Sequence, residues 1–89
     1  MVLLKRLVLD VLKPHQPNAL EFSQNLAEVG NDYHVVLRVL EVDENTETIQ
    51  IEIEGNNIDF EGIQLAITNM SGSLHSIDVV EVDSEPGAE

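Results

Sequence analysis

The sequence has no cysteine and no tryptophan, and Phe22, Tyr33 and Phe60 are its only aromatic residues. Without cysteine there is no disulfide, no thiolate nucleophile and no Cys-x-x-Cys metal or redox pair. Basic residues are almost as scarce. Four Lys and Arg stand against seventeen Asp and Glu, a formal charge of −13. Phosphate backbones and anionic lipid repel such a chain, and no basic stripe offsets the repulsion. Nucleic acid and membrane are therefore not expected partners. No segment reaches the ~18 uninterrupted apolar residues of a membrane span. The opening Met1-Val2-Leu3-Leu4-Lys5-Arg6 is not expected to act as a signal peptide, because charges follow its first apolar residues and Asp10 and Lys13 break the rest. A cytoplasmic location is the expectation.

Catalytic motifs are absent too. The sequence has no Gly-x-Ser-x-Gly elbow, no glycine-rich phosphate loop and no His-Glu-x-x-His pair. No enzymatic activity and no obligatory cofactor are expected. What the chain does have is aliphatic residues, which must fill a core nearly without aromatics. Its 89 residues, 43% of them hydrophobic, suit a single domain over residues 1–83 with a flexible acidic tail at 84–89. A core of that size without a disulfide often depends on oligomerisation.

Periodicity divides the chain into six elements. An apolar run over residues 2–13 stops at Pro14, which has no N–H to give a ladder. Ala19, Phe22, Leu26 and Val29 recur at helical spacing after Pro17-Asn18, and Gly30-Asn31 ends that helix. Residues 33–43 are rich in Val and Leu and read as a strand. Glu44-Asn45-Thr46 forms a turn into a strand in which Ile49, Ile51 and Ile53 alternate with Gln50, Glu52 and Glu54. Asn57 or Asp59 then caps a second helix with the stripe Phe60, Ile63, Ile67 and Met70, a constant 41 residues after the first stripe. Ser71-Gly72-Ser73 leads to a last strand over residues 74–82. The order β-α-β-β-α-β predicts an α+β, ferredoxin-like sandwich: a four-stranded antiparallel sheet, order 4-1-3-2, with both helices on one face.

Strict alternation then assigns the side chains. With Leu7, Leu9, Val11, Val35, Leu37, Val39, Ile77 and Val79 turned to the helices, the open face carries Val8, Leu12, Val36, Leu40, Val42, Val80 and Val82, beside Arg6, Asp10, Arg38 and Asp78. Neighbouring aliphatics on an open face form a patch that monomers seldom leave bare. Val8, Leu12, Val36, Leu40 and Val80 are thus the expected oligomer contacts, with opposite charges pairing between subunits. One candidate ligand site also emerges. The topology is expected to bring His15 near His75 at an edge capped by the acidic hairpin, so His15, His75, Asp43 and Glu44 are candidate ligands for calcium or another divalent cation. Ordinary loop and capping roles for both histidines are the competing explanation. Glu52 and Glu54 read as a solvated face.

Three separated segments add a resemblance: 7–15 (LVLDVLKPH) with Pro17, 55–60 (GNNIDF) and 72–78 (GSLHSID). In order and spacing they resemble the archaeal domain of unknown function 211 family over about residues 4–82. The resemblance implies a ferredoxin-like fold and ring-shaped homo-oligomers, and no established activity. Two functions from different classes are therefore expected: a non-enzymatic ring-forming assembly module, or a regulatory module binding a divalent cation or small ligand.

Overall fold

The computed structural model describes residues 1–84. Its elements are β1 (Val2–Pro14), α1 (Ala19–Ala27), β2 (His34–Val42), β3 (Thr46–Glu54), α2 (Phe60–Asn69) and β4 (Ser73–Ser84). The strands form one antiparallel sheet in the order β2-β3-β1-β4, which is the expected 4-1-3-2 read from the other edge. The fold is the ferredoxin-like α+β sandwich. Ser84 belongs to β4, and the rest of the expected tail lies outside the described residues.

The centre of the sheet is the β1–β3 pair. Leu7, Leu9 and Val11 stand opposite Ile53, Ile51 and Ile49. All six are buried, in one cluster with Phe22 and Leu26 of α1 and Ile63 and Ile67 of α2. Residues directly opposite across an antiparallel pair share a face, so this face of the sheet is the one the helices cover. The four helix anchors keep the 41-residue offset, and so do the N-caps. Asn18 accepts the Glu21 N–H, and Asp59 accepts the Gly62 N–H. The helices approach closely at Gly62, where an added Cβ would lie 2.9 Å from Val29 Cγ1.

Each edge strand departs from strict alternation. The β1–β4 register slips by one residue at His75, at Asp78 and at Lys5. A bulge leaves one residue unpaired and flips every later side chain. Val80 and Val82 consequently stand opposite Leu7 and Leu4, on the helix side, and Val79 stands opposite Val8 on the open face. Alternation alone gave the reverse. The β2–β3 register slips at Leu40, so Val42 also lies on the helix side, opposite Glu47. Val8 lies on the open face as expected, yet it is only 6% exposed, between Glu52 and Val79 on the neighbouring strands.

Pairing with β3 begins at Arg6, whereas Val2, Leu3 and Leu4 have β4 as their only strand partner, with Leu4 C=O also accepting the Ile58 N–H at 2.8 Å from the segment after β3. The sheet therefore ends in a two-stranded arm of residues 2–4 and 82–84. Only Leu4 in this arm packs against the core, and Val2, Val80 and Val82 remain more than half exposed.

α2 closes with a 6→1 and 5→2 pair of bonds: Gly72 N–H donates to Ile67 C=O and Ser71 N–H to Thr68 C=O, both 2.9 Å. The left-handed position, normally glycine, is Ser71 at φ 64°. That backbone costs a non-glycine residue about 1–2 kcal/mol, while glycine would restore about 0.5–1 kcal/mol of unfolded-chain freedom. Ser71→Gly is expected to stabilise the protein by about 0.5 kcal/mol in urea unfolding; a lower midpoint would contradict the reading.

Candidate functional site

Polar chemistry collects at two places on β1, and neither is the expected histidine pair. The first lies at the end of the strand. Lys13 continues the inward series Leu7, Leu9, Val11, so its side chain enters the core and is fully buried. Its Nζ donates to Glu47 Oε1 at 2.9 Å and Pro14 C=O at 2.8 Å, and lies 5.9 Å from the centre of the Phe22 ring. The other oxygen of Glu47 meets His15 Nδ1 at 2.9 Å, while His15 Nε2 lies 2.9 Å from Glu44 C=O. The chain leaving β1 is thus clamped to the β2–β3 hairpin through a cation–carboxylate–imidazole series.

The bond to Glu47, then that to the Glu44 backbone, raises the His15 pKa above its ordinary value. The same bond from His15, followed by that from Lys13, lowers the Glu47 carboxyl below its own. Both ring nitrogens of His15 are occupied by these contacts. His75 is held elsewhere, as the bulged residue level with Asp10 and Val11. About four residues of strand, or ~13 Å at ~3.3 Å per residue, separate that level from Pro14. Asp43 gives its N–H to Thr46 C=O at 2.8 Å to close the hairpin. Among the described residues no group of three or more His, Asp or Glu is placed to hold a metal ion. His15 and Glu44 do meet, but through the Glu44 backbone.

The second place is the open face. Arg6 donates to Glu52 Oε2 from both Nη2 at 2.6 Å and Nε at 3.0 Å, with Glu54 and Glu81 at 3.9 and 3.8 Å. Arg38 reaches the other oxygen of Glu52 at 3.5 Å. Hydrogen bonding to Arg6 lowers the Glu52 pKa. Glu52 is therefore the hub of an ion-pair network within one subunit, not a solvated acid, and both arginines find partners in their own chain. Asp78 is likewise occupied, accepting the Ser76 hydroxyl at 2.7 Å.

Beside this network, Asp10, Val11, Leu12, Thr48 and His75 line a cavity of about 270 Å³. Asp10 Oδ1 is buried with no hydrogen-bond partner among the described residues. A buried polar atom left unsatisfied costs about 1–3 kcal/mol, and natural structures hold few of them. Alternation correctly placed Asp10 on the open face. The bulge at His75, which carries no sequence signal, puts the imidazole beside it.

Losing the Glu47 carboxylate would strand a buried ammonium, so Glu47→Ala is expected to cost about 3 kcal/mol, well above the loss from Glu52→Ala at the wetter face; equal losses in urea unfolding would contradict the clamp. The pH dependence follows from the raised His15 pKa. Charged His15 contributes stability fully below its unfolded pKa of about 6.5, and that contribution disappears as pH rises through the higher folded value. The stability advantage of the native chain over His15→Gln is therefore expected to shrink between about pH 6 and pH 8. An advantage that grows over that range would exclude the assignment.

Over residues 5–85 the chain matches the family described as uncharacterized ArCR, domain of unknown function 211. It is also similar to an uncharacterized protein of Methanocaldococcus jannaschii, with 43% identity over 77 residues, covering 86% of this chain and 79% of that protein. The sheet order, the paired helices and this match over nearly the whole length agree: the chain belongs to the archaeal domain of unknown function 211 family.

Proposed function

We propose that this chain is a non-enzymatic assembly module, a protomer whose function resides in a closed homo-oligomeric ring. The observation that carries the reading is the two-stranded arm. Val2 is 63% and Val82 54% exposed in this arm, beyond the end of the β3 ladder, and Val80, next to the arm on the β4 edge, is 53% exposed. A bare two-stranded ribbon is at best marginal in water, and an edge strand with its backbone unpaired invites another chain. In β4 the bulges at His75 and Asp78 interrupt that edge, but residues 79–81 run in regular register without a lysine or proline to guard them.

Leu40 and Val42 flank the opposite edge, β2, and are also exposed. Two different apolar edges on one molecule favour a head-to-tail contact, which closes into a ring when the rotation permits. Of the contacts expected from alternation, Leu40 and Val80 are exposed on the edge strands and available for such an interface, whereas Leu12 is exposed on the central strand β1, away from both edges. Val36 is half-buried and Val8 is already covered.

Size-exclusion chromatography with light scattering is expected to give one species at an integral multiple of 9.9 kDa. Val80→Asp combined with Val82→Asp should shift that species to monomer with the strand content retained by circular dichroism. A native monomer at micromolar concentration would end the proposal.

A further inference from the structure

The open-face cavity has features that self-assembly through the strand edges does not use. Its lining combines Asp10, Thr48 and His75 with the aliphatic side chain of Leu12 and the Val11 segment of β1 between them, and Asp10 Oδ1 is left without a hydrogen-bond partner among the described residues. The nearby cations are committed elsewhere: Arg6 and Arg38 to Glu52, and Lys13 to Glu47 on the opposite face. A ligand for this cavity must therefore bring its own donor. Three groups able to accept a hydrogen bond match the three N–H donors of a primary ammonium, and the Leu12 side chain matches a short alkyl stem. A bare divalent ion fits less well, because Asp10 and His75 are the only strong ligands in the lining. The net charge of −13 favours the approach of any cation.

We propose that the Asp10–Thr48–His75 cavity is a binding site for a small primary alkylammonium. Its nitrogen donates to the Asp10 carboxylate and its stem lies on Leu12. All five lining residues come from one subunit, so binding is expected whatever the oligomeric state.

The test is isothermal titration calorimetry of the full chain with propylammonium, n-propanol and calcium or zinc chloride, accompanied by melting curves. Saturable binding of propylammonium at about millimolar affinity, as suits so small a ligand, with a matching rise in Tm, is the expected result. Neutral n-propanol should bind at least about tenfold more weakly. Asp10→Asn removes the charge, keeps the shape and should weaken propylammonium by at least about tenfold. Thr48→Val should weaken it less. Because Asp10 Oδ1 has no hydrogen-bond partner among the described residues, Asp10→Asn breaks no contact of the free protein, and its unliganded Tm is expected to equal or exceed that of the native chain, which separates loss of binding from loss of fold. Should Asp10→Asn unfold instead, Thr48→Val and His75→Ala carry the test, and unchanged binding in both overturns the proposal. Equal binding of propanol, tighter binding of a divalent ion at Asp10, or no saturable propylammonium binding would each overturn it as well.

Discussion

The burial of Leu7, Leu9 and Val11 against Ile53, Ile51 and Ile49 is the constraint on which the other features depend. With so few aromatics, these aliphatics and four helix anchors supply most of the apolar surface removed from water. Because strand side chains alternate with a period of two, seating these six on the helix side fixes the facing of every neighbouring residue in β1 and β3. Lys13 is carried into the core by the same rule that buries Val11, and Asp10 and Leu12 are carried to the open face.

Fixing Lys13 inside creates an electrostatic demand that Glu47 meets from the strand paired with it. An unpartnered ammonium at that depth would cost several kcal/mol. Glu47 has a second oxygen to offer, and His15 takes it, which ties the loop after β1 to the hairpin between β2 and β3. On the opposite face Arg6 and Glu52 play a wetter version of the same part. Asp10 lies between these two pairs and has no counterpart in either. That isolation, beside a cavity with apolar walls, separates it from the chain's other acids, most of which lie in water.

The edge strands escape the central constraint, and there the reading from sequence and the structure part. Alternation placed Leu7, Leu9, Val11 and the three isoleucines correctly, and helical spacing placed Phe22, Leu26, Ile63 and Ile67 correctly. It failed for Val79, Val80, Val82 and Val42, each of which follows a bulge. A bulge adds one residue to one side of a ladder and is decided by fit to the neighbouring strand, so nothing in His75, Asp78 or Leu40 announces it. The helix boundary at Ala27 was similarly hidden. Val29 continues the apolar period, yet Glu28 already caps the helix. Lys13 was legible in principle, since it falls on the inward face of its strand, but a lysine is rarely read as core.

By itself the sequence determined the six elements, their order, the sheet topology and the family, because each follows from local periodicity, caps and motifs carried by neighbouring residues. Its lack of cysteine also removed thiol and disulfide chemistry. Tertiary structure alone decided which histidine meets which acid, which valines face solvent and which carboxylate is left without a partner. Those outcomes depend on inter-strand register, and register is a property of two strands meeting, set by side-chain fit across a gap that no single stretch of sequence contains.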